Sequence, residues 1–172
     1  MTKLRILTLL LFASSSFGQQ KLDEIVNKEV KTLIPLYQHL HANPELSYYE
    51  EKTSAVVAKE LRTLGFEVTE RFGKYENPNL TSYGVVGVLK NGKGPTALVR
   101  TDLDALPVEE KTGLAYASKV KTKLETGEVT SVMHACGHDI HMACFLGAAK
   151  VLIQMKDEWR GTLLFIGQPS EE

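Results

Sequence analysis

Apolar residues recur at three- and four-residue steps in several parts of the chain, and these steps predict helices. The first helix is predicted from the series Leu22, Ile25, Val26, Leu33, Ile34, Tyr37 and Leu40. Pro35 lies inside this series and is expected to kink the helix or shift a boundary. Ser47-Tyr48-Tyr49-Glu50 has the pattern of a capping box, which predicts a second helix that Gly65 ends. A third helix is predicted from Asp139 to about Asp157.

Runs of β-branched and aromatic residues predict strands between and after these helices. The predicted strands are Phe66 to Phe72, Ser82 to Lys90, Thr96 to Thr101 and Thr162 to Ile166. The glycine- and proline-containing segment from Asn91 to Pro95 forms a turn between the second and third strands. The polar segment from Pro107 to Thr130 shows little periodicity. The order of these elements indicates an α/β domain with a mixed sheet.

The first eighteen residues have a different pattern. Lys3 and Arg5 precede an apolar stretch from Ile6 to Ala13, and small residues follow as far as Gly18. This order is typical of a secretory signal peptide, so we expect a secreted or periplasmic protein that is cleaved near Gly18. The alternative is an N-terminus that stays disordered or joins the core. The apolar stretch is shorter than the roughly 18–20 residues that a membrane span needs.

Composition and charge narrow the class of protein. Hydrophobic residues make up 43% of the 172 residues and charged residues 24%, which is ordinary for a globular domain. Lysine and arginine number 20 against 21 acidic residues, for a formal net charge of −1. A general nucleic-acid binder depends on a basic surface, so this balance argues against nucleic acid as a partner.

Two carboxylates follow the third predicted strand, in Arg100-Thr101-Asp102-Leu103-Asp104-Ala105-Leu106-Pro107. Side chains at the carboxyl end of a strand often face the crevice where α/β proteins bind ligands. Asp102 and Asp104 could therefore orient a histidine that binds a metal. The alternative is that they only cap the turn that follows.

A second segment, Met133-His134-Ala135-Cys136-Gly137-His138-Asp139-Ile140-His141, holds three of the five histidines of the chain. Cys136 and His138 flank a glycine, which lets the backbone turn so that the thiolate and the imidazole face one point. These ligand types suit zinc or another borderline-soft divalent ion. The alternative is a buried thiol beside a buried histidine.

The other cysteine and histidines have simpler interpretations. A disulfide between Cys136 and Cys144 is sterically conceivable in an exported protein, but Cys144 is expected to pack into the core from the third helix. His39 and His41 are expected to lie at the surface or to cap the first helix.

The last predicted strand runs out into Glu171 and Glu172. One carboxylate of such a pair can bind a metal while the other takes a proton from the attacking water. The alternative is a solvated acidic pair.

Four motifs, in this order along the chain, together resemble one known family. They are His41 to Ser47, Arg100 to Pro107, Met133 to Asp139 and Gly161 to Glu172, within a likeness from about Leu33 to Glu172. The chain resembles the N-terminal part of the metal-dependent amidohydrolases that include hippurate hydrolases, N-acyl-amino-acid amidohydrolases and indole-acetyl-amino-acid hydrolases. This is the carboxypeptidase G2-like and aminoacylase-like group of zinc peptidases.

The resemblance implies a mixed-sheet α/β/α catalytic domain, of which residues 19–172 are the N-terminal portion. It implies that Cys136, His138 and Glu172 bind metal, that Glu171 is the general base and that Asp102 is a supporting acid. The implied cofactors are two divalent metal ions, drawn from zinc, manganese, cobalt and nickel. The implied substrate is a small N-acyl-amino acid or peptide, and the implied assembly of the full-length protein is a homodimer.

The sequence departs from the family in one respect. The remaining histidine ligands of the family follow the glutamate pair, whereas no histidine follows His141 here. We therefore expect this chain alone to be an inactive fragment of the catalytic domain. Two other functions stay open: a di- or aminopeptidase on the same scaffold, and a non-catalytic module that binds a metal or a peptide.

Overall fold

The computed structural model describes the backbone of residues 2–124 and 126–172, and the side chains of residues 18–124 and 126–172. Its elements are α1 (Thr2–Ala42), α2 (Glu51–Thr63), β1 (Glu67–Phe72), β2 (Gly84–Asn91), β3 (Thr96–Asp102), β4 (Lys121–Lys123), β5 (Val129–Ser131), α3 (His138–Gln154), a 3-10 helix (Lys156–Glu158) and β6 (Gly161–Gln168). Within this part of the chain, no helix combines the length and the apolar character that crossing a bilayer requires. The predicted signal peptide at residues 1–18 falls almost wholly outside the described side chains and stays a prediction.

Four strands form one mixed sheet in the order β1-β2-β6-β3. Strand β2 is antiparallel to both β1 and β6, whereas β3 runs parallel to β6. The mixed α/β fold predicted from the sequence is therefore confirmed. Because β3 and β6 are parallel, the residues that follow them lie at the same edge of the sheet.

The helices pack against one face of this sheet. Side chains from α1, α2 and α3 share a single apolar core with alternate residues of the strands, including Val85, Leu163 and Phe165. The opposite face carries residues that are only partly covered, and Leu98 on it is 57% exposed. The buried face fixes the register of β3 and β6, because a slip of one residue would turn the core side chains outward.

The start of α2 differs from the predicted capping box. The helix begins at Glu51, and the Ser47 hydroxyl donates to Asp104 instead of capping it. Glu45 does the capping, because its carboxylate accepts hydrogen bonds from the backbone nitrogens of Thr53 at 2.7 Å and Lys52 at 3.3 Å. The predicted end is correct: Gly65 has a φ of 86°, as in the glycine of a Schellman motif.

Two further elements differ from the prediction. The segment from Pro107 to Thr130 was expected to show little periodicity. It contains β4 and the start of β5, which pair as a short antiparallel hairpin. Helix α1 continues through Pro35 without a break, so the proline does not set a boundary.

Candidate metal centre

The five predicted site residues lie at the edge of the sheet where β3 and β6 end. Asp102 is the last residue of β3, and Glu171 and Glu172 follow β6 after three intervening residues or fewer. His138 is the first residue of α3, and Gly137 before it has a φ of 85°. This left-handed conformation suits glycine and lets the chain turn sharply between Cys136 and His138.

Three potential ligand atoms converge at this edge. The Cys136 sulfur, a ring nitrogen of His138 and a carboxylate oxygen of Glu172 all lie within 4.8 Å of one another. A second group, made by Asp102, His138 and Glu171, satisfies the same distance. His138 is common to both groups and is buried, whereas Cys136 and the two glutamates are exposed. The structure therefore brings all five residues to one place.

The orientation of the His138 ring leaves one nitrogen free for a ligand. Its Nδ1 lies 2.8 Å from the backbone carbonyl oxygen of Asp104. Because a carbonyl oxygen only accepts, Nδ1 must carry the proton. The unprotonated Nε2 then faces the glutamate side, 3.8 Å from a carboxylate oxygen of Glu171. A histidine whose second nitrogen donates to a carbonyl is the usual arrangement at a metal site.

Asp104 holds the glutamate segment in place. This carboxylate is fully buried, and its Oδ2 accepts hydrogen bonds from the Ser47 hydroxyl at 2.7 Å and from the backbone nitrogens of Glu171 and Glu172 at 2.8 and 2.9 Å. Its Oδ1 lies 3.4 Å from Nδ1 of His138 and has no hydrogen-bond partner among the described residues. The sequence predicted that Asp104 could orient a metal-binding histidine, and it lies beside His138 as expected; its bonds to the backbone of Glu171 and Glu172 were not predicted.

Asp102 has a different environment from Asp104. Its Oδ1 accepts from Nε of Arg100 at 3.0 Å, and its side chain is 17% exposed. The arginine therefore compensates the charge of Asp102.

The Cys136 thiol lies next to clustered negative charge. A hydrogen bond to Glu172 and the negative charge of that carboxylate raise the pKa of the Cys136 thiol, and Glu171 adds to the effect. A thiol binds metal as the thiolate, which these carboxylates alone would disfavour. A divalent ion between them would reverse the balance by compensating the clustered negative charge. One sulfur, one imidazole nitrogen and one carboxylate oxygen are a donor set that fits zinc and similar ions.

Two segments with unusual backbone angles, one at Tyr48 and one at Ser170, meet next to the glutamates. Tyr48 and Ser170 have φ angles of 71° and 54°, and the Tyr48 backbone nitrogen donates to the Ser170 hydroxyl at 2.9 Å. The buried carboxylate of Glu50 accepts from the Ser170 backbone nitrogen at 2.7 Å, and burial raises its pKa. The Tyr75 hydroxyl lies 2.7 Å from the Ser170 hydroxyl. A residue other than glycine is strained when its φ is positive, and such backbone strain is concentrated at functional sites.

Two buried histidines near the site, His134 and His41, differ in their hydrogen bonding. Burial lowers the pKa of His134 to about 4, and neither of its ring nitrogens has a hydrogen-bond partner in the described chain. His41 was expected to lie at the surface or to cap the first helix, and the surface position is wrong. It is 5% exposed and bonds through Nδ1 to Asp139 at 2.6 Å and through Nε2 to Glu110 at 3.0 Å. His39, two residues earlier, is exposed as expected.

The second cysteine also differs from its prediction. Cys144 is exposed instead of packed in the core, because Met142, Phe145 and Leu146 take the buried face of α3. Both cysteines are free, so the two do not form a disulfide.

This fold and donor set are similar to those of metal-dependent amidohydrolases and peptidases. Residues 98–172 match the model of peptidase family M20/M25/M40. The family resemblance predicted from the four motifs is therefore confirmed for this part of the chain.

Known relatives support the same assignment over most of the chain. Thermostable carboxypeptidase 2 of Saccharolobus solfataricus is 42% identical over 89% of this chain and 35% of its own length. An N-acyl-L-amino acid amidohydrolase of Geobacillus stearothermophilus is 39% identical over 84% of this chain and 35% of its own length. The solved structure of the Bacillus subtilis YXEP protein, described as a dinuclear metal binding peptidase from the M20 family, superposes with a TM-score of 0.69. It is 36% identical and aligns with 84% of this chain and 36% of that one. The chain thus spans about a third of the length of the relatives it matches.

Proposed function

We propose that this chain carries the metal-binding edge of a hydrolase that cleaves the amide bond of N-acyl-amino acids. The observation that carries the proposal is the convergence of Cys136, His138 and Glu172 within 4.8 Å. These three residues would hold a divalent ion. His138 has a single unprotonated ring nitrogen and can ligate only one ion, so Asp102 and Glu171 lie beside that ion rather than sharing His138 with a second one. The name of the Geobacillus stearothermophilus relative supports the choice of substrate.

Metal ions bound here would supply Lewis-acid polarisation of the scissile carbonyl and stabilise developing negative charge. Glu171 is suited to proton transfer, because its side chain is 43% exposed and its backbone is fixed by Asp104. In the proposed reaction Glu171 takes a proton from the attacking water and delivers it to the nitrogen of the leaving amino acid. The water oxygen first bonds to the carbonyl carbon, and the C–N bond then breaks as the nitrogen receives the proton, so the products are a carboxylic acid and a free amino acid.

The experiment that tests this function uses the whole protein that contains the segment. Hydrolysis of N-benzoyl- and N-acetyl-amino acids is measured as released amino acid, with zinc, manganese, cobalt or nickel added. Glu171→Gln should lower kcat by at least about a hundredfold, the usual contribution of a general base, while metal content stays the same. Glu172→Gln should lower metal content as well. Full activity of Glu171→Gln, or loss of its metal, would contradict the assigned roles.

A peptidase activity is the second candidate, because the Saccharolobus solfataricus relative is named a carboxypeptidase. Free dipeptides and N-blocked dipeptides assayed beside the acyl-amino acids distinguish the two reactions. Preferred cleavage of free dipeptides would replace the acyl-amino-acid assignment.

A further inference from the structure

His41 joins three separate parts of the chain into one buried unit. This residue lies near the end of α1, and its Nδ1 is 2.6 Å from Oδ2 of Asp139 in the first turn of α3. Its Nε2 is 3.0 Å from Oε1 of Glu110, in the loop between β3 and β4. The three side chains are exposed by 6% or less. Glu110 also accepts hydrogen bonds from the Thr112 hydroxyl and the Ser118 backbone nitrogen, so this unit includes the loop.

The two carboxylates hold His41 as a cation in one orientation. An ionised carboxylate only accepts hydrogen bonds, and an imidazole that donates from both nitrogens is protonated. Burial alone would lower the pKa of His41, but the hydrogen bonds to Glu110 and Asp139 outweigh burial and raise it. The rings of Tyr37 and Tyr116 flank the imidazole with centroid distances of 5.7 and 5.3 Å, which limits its rotation.

Asp139 connects this unit to the proposed metal centre, because it directly follows the proposed ligand His138. Its Oδ2 binds His41, and its Oδ1 accepts from the backbone nitrogen of Ile140 at 2.8 Å, so the carboxylate is fixed at both oxygens. Replacing His41 by a neutral residue would leave Asp139 and Glu110 as buried carboxylates without a compensating charge. Such groups are stabilised by moving apart or toward water, and either movement would shift the first turn of α3 and His138 with it.

We propose that His41 is a positioning residue for the metal centre: it sets the first turn of α3 so that Cys136 and His138 meet the ion together. The proposal rests on the proposed function, since it assigns an effect on metal binding. His41 acts through Asp139 and is not itself a ligand, because both of its ring nitrogens are already bonded to carboxylates. Residues that orient metal ligands through hydrogen bonds contribute strongly to metal affinity. Metal affinity should therefore depend on Glu110 as well, although Glu110 lies in another segment of the chain.

Cobalt titration of the purified chain measures this effect through the sulfur-to-cobalt charge-transfer band. His41→Asn should weaken Co²⁺ binding at least about tenfold, as is typical for residues that orient metal ligands. Glu110→Gln keeps the size of the side chain and removes its charge, and it should weaken binding at least about twofold. Because Glu110 acts through His41 in this account, Glu110→Gln should have no further effect in the His41→Asn chain.

Two control variants separate positioning from a general loss of stability. His39→Asn makes the same change at an exposed histidine of α1 and should leave Co²⁺ affinity unchanged. Trp159→Phe removes the hydrogen bond from Nε1 of Trp159 to the Leu152 carbonyl oxygen, 2.8 Å long, near the other end of α3. It should lower the free energy of unfolding and leave Co²⁺ affinity unchanged.

Hydrogen exchange in the metal-free chain locates the effect within α3. The backbone nitrogen of His141 donates to the Gly137 carbonyl oxygen at 3.1 Å in the first turn, and that of Met155 donates to the Val151 carbonyl oxygen at 3.0 Å at the other end. His41→Asn should speed exchange at His141 at least about tenfold and leave Met155 unchanged. A variant that is only less stable would speed exchange at both amides.

Unchanged Co²⁺ affinity in folded His41→Asn, an equal loss in Trp159→Phe, or additive effects of His41→Asn and Glu110→Gln would overturn the positioning role. The ¹⁵N–¹H spectra used for exchange report whether each variant is folded. Should His41→Asn not fold, unchanged affinity in Glu110→Gln overturns the role and weakened affinity supports it. A wild-type chain that binds no cobalt would contradict the proposed function as well. Cobalt binding through Cys136 that is insensitive to these variants would contradict the positioning role alone.

Discussion

Oδ2 of Asp104 accepts a hydrogen bond from the backbone nitrogen of Glu171 at 2.8 Å. The same oxygen accepts from Glu172 and Ser47, so one buried carboxylate joins the end of β3 to the segment that follows β6. Nδ1 of His138 also donates to the backbone carbonyl oxygen of Asp104. Asp104 therefore positions three of the proposed site residues: His138, Glu171 and Glu172.

Replacing Asp104 by alanine should therefore lower both stability and metal affinity. The change leaves two backbone N–H groups and a hydroxyl without their acceptor, which we expect to cost about 2–4 kcal/mol of the free energy of unfolding. Urea unfolding and a metal titration of the same variant measure the two effects. Asp157→Ala, at an exposed position in the 3-10 helix, is the control and should change neither. Wild-type stability in Asp104→Ala would show that the buried carboxylate does not organise the site.

The interaction of His41 with Glu110 and Asp139 should make stability depend on pH. Burial tends to lower the pKa of His41, but the two carboxylates together raise it above its ordinary value of 6.5. The imidazolium is thus more favourable in the folded chain than in the unfolded one. Its contribution is fully present below pH 6.5 and is lost as the pH rises through the raised pKa.

Glu110 sets the other limit of this pH range. Burial tends to raise its pKa, but hydrogen bonds from Thr112 and His41 lower it below 4.5. The contribution of Glu110 is therefore present above pH 4.5 and is lost as the pH falls through the lowered pKa. In thermal unfolding, the difference in Tm between wild type and His41→Asn should be larger at about pH 6 than at pH 9. His39→Asn is the exposed control, and an equal difference for His41→Asn at both pH values would contradict the ion pairs.

Capping of α2 by Glu45 gives a third prediction. Glu45→Ala should destabilise the chain by about 1 kcal/mol, because the backbone nitrogens of Thr53 and Lys52 lose their acceptor. Chemical unfolding measures the change, and Glu76→Ala in an exposed part of the chain is the control. A Glu45→Ala variant as stable as the wild type would contradict capping by Glu45.

The pattern of the first eighteen residues predicts an exported protein. N-terminal sequencing of the mature protein from the periplasm or the medium should begin close to Gln19. A mature protein that keeps Met1 would contradict the signal peptide.

Much of the fold followed from local sequence signals. The strands of the main sheet lie within about two residues of their predicted bounds, because runs of β-branched and aromatic residues mark each of them. Parallel pairing of β3 with β6 was not needed to choose Asp102, Cys136, His138, Glu171 and Glu172, since the motifs and the family resemblance identified them.

The features that sequence reasoning missed depend on long-range contacts. Strands β4 and β5 have three residues each, too few for a period to show. Asp104 and His41 are polar residues whose buried positions depend on partners 34 or more residues away in sequence. Cys144 is an exception, because the spacing of Met142, Phe145, Leu146 and Ala149 already places it on the other face of the helix.

The most direct test of the account is cobalt binding by the purified chain. We expect the wild type to bind Co²⁺ with a sulfur-to-metal charge-transfer band, because Cys136, His138 and Glu172 supply sulfur, nitrogen and oxygen ligands. Cys144→Ser changes the other exposed cysteine and should keep the band, whereas Cys136→Ser should lose it and bind Co²⁺ more weakly. A band that persists in Cys136→Ser, or a wild-type chain that binds no cobalt, would contradict the proposed metal centre.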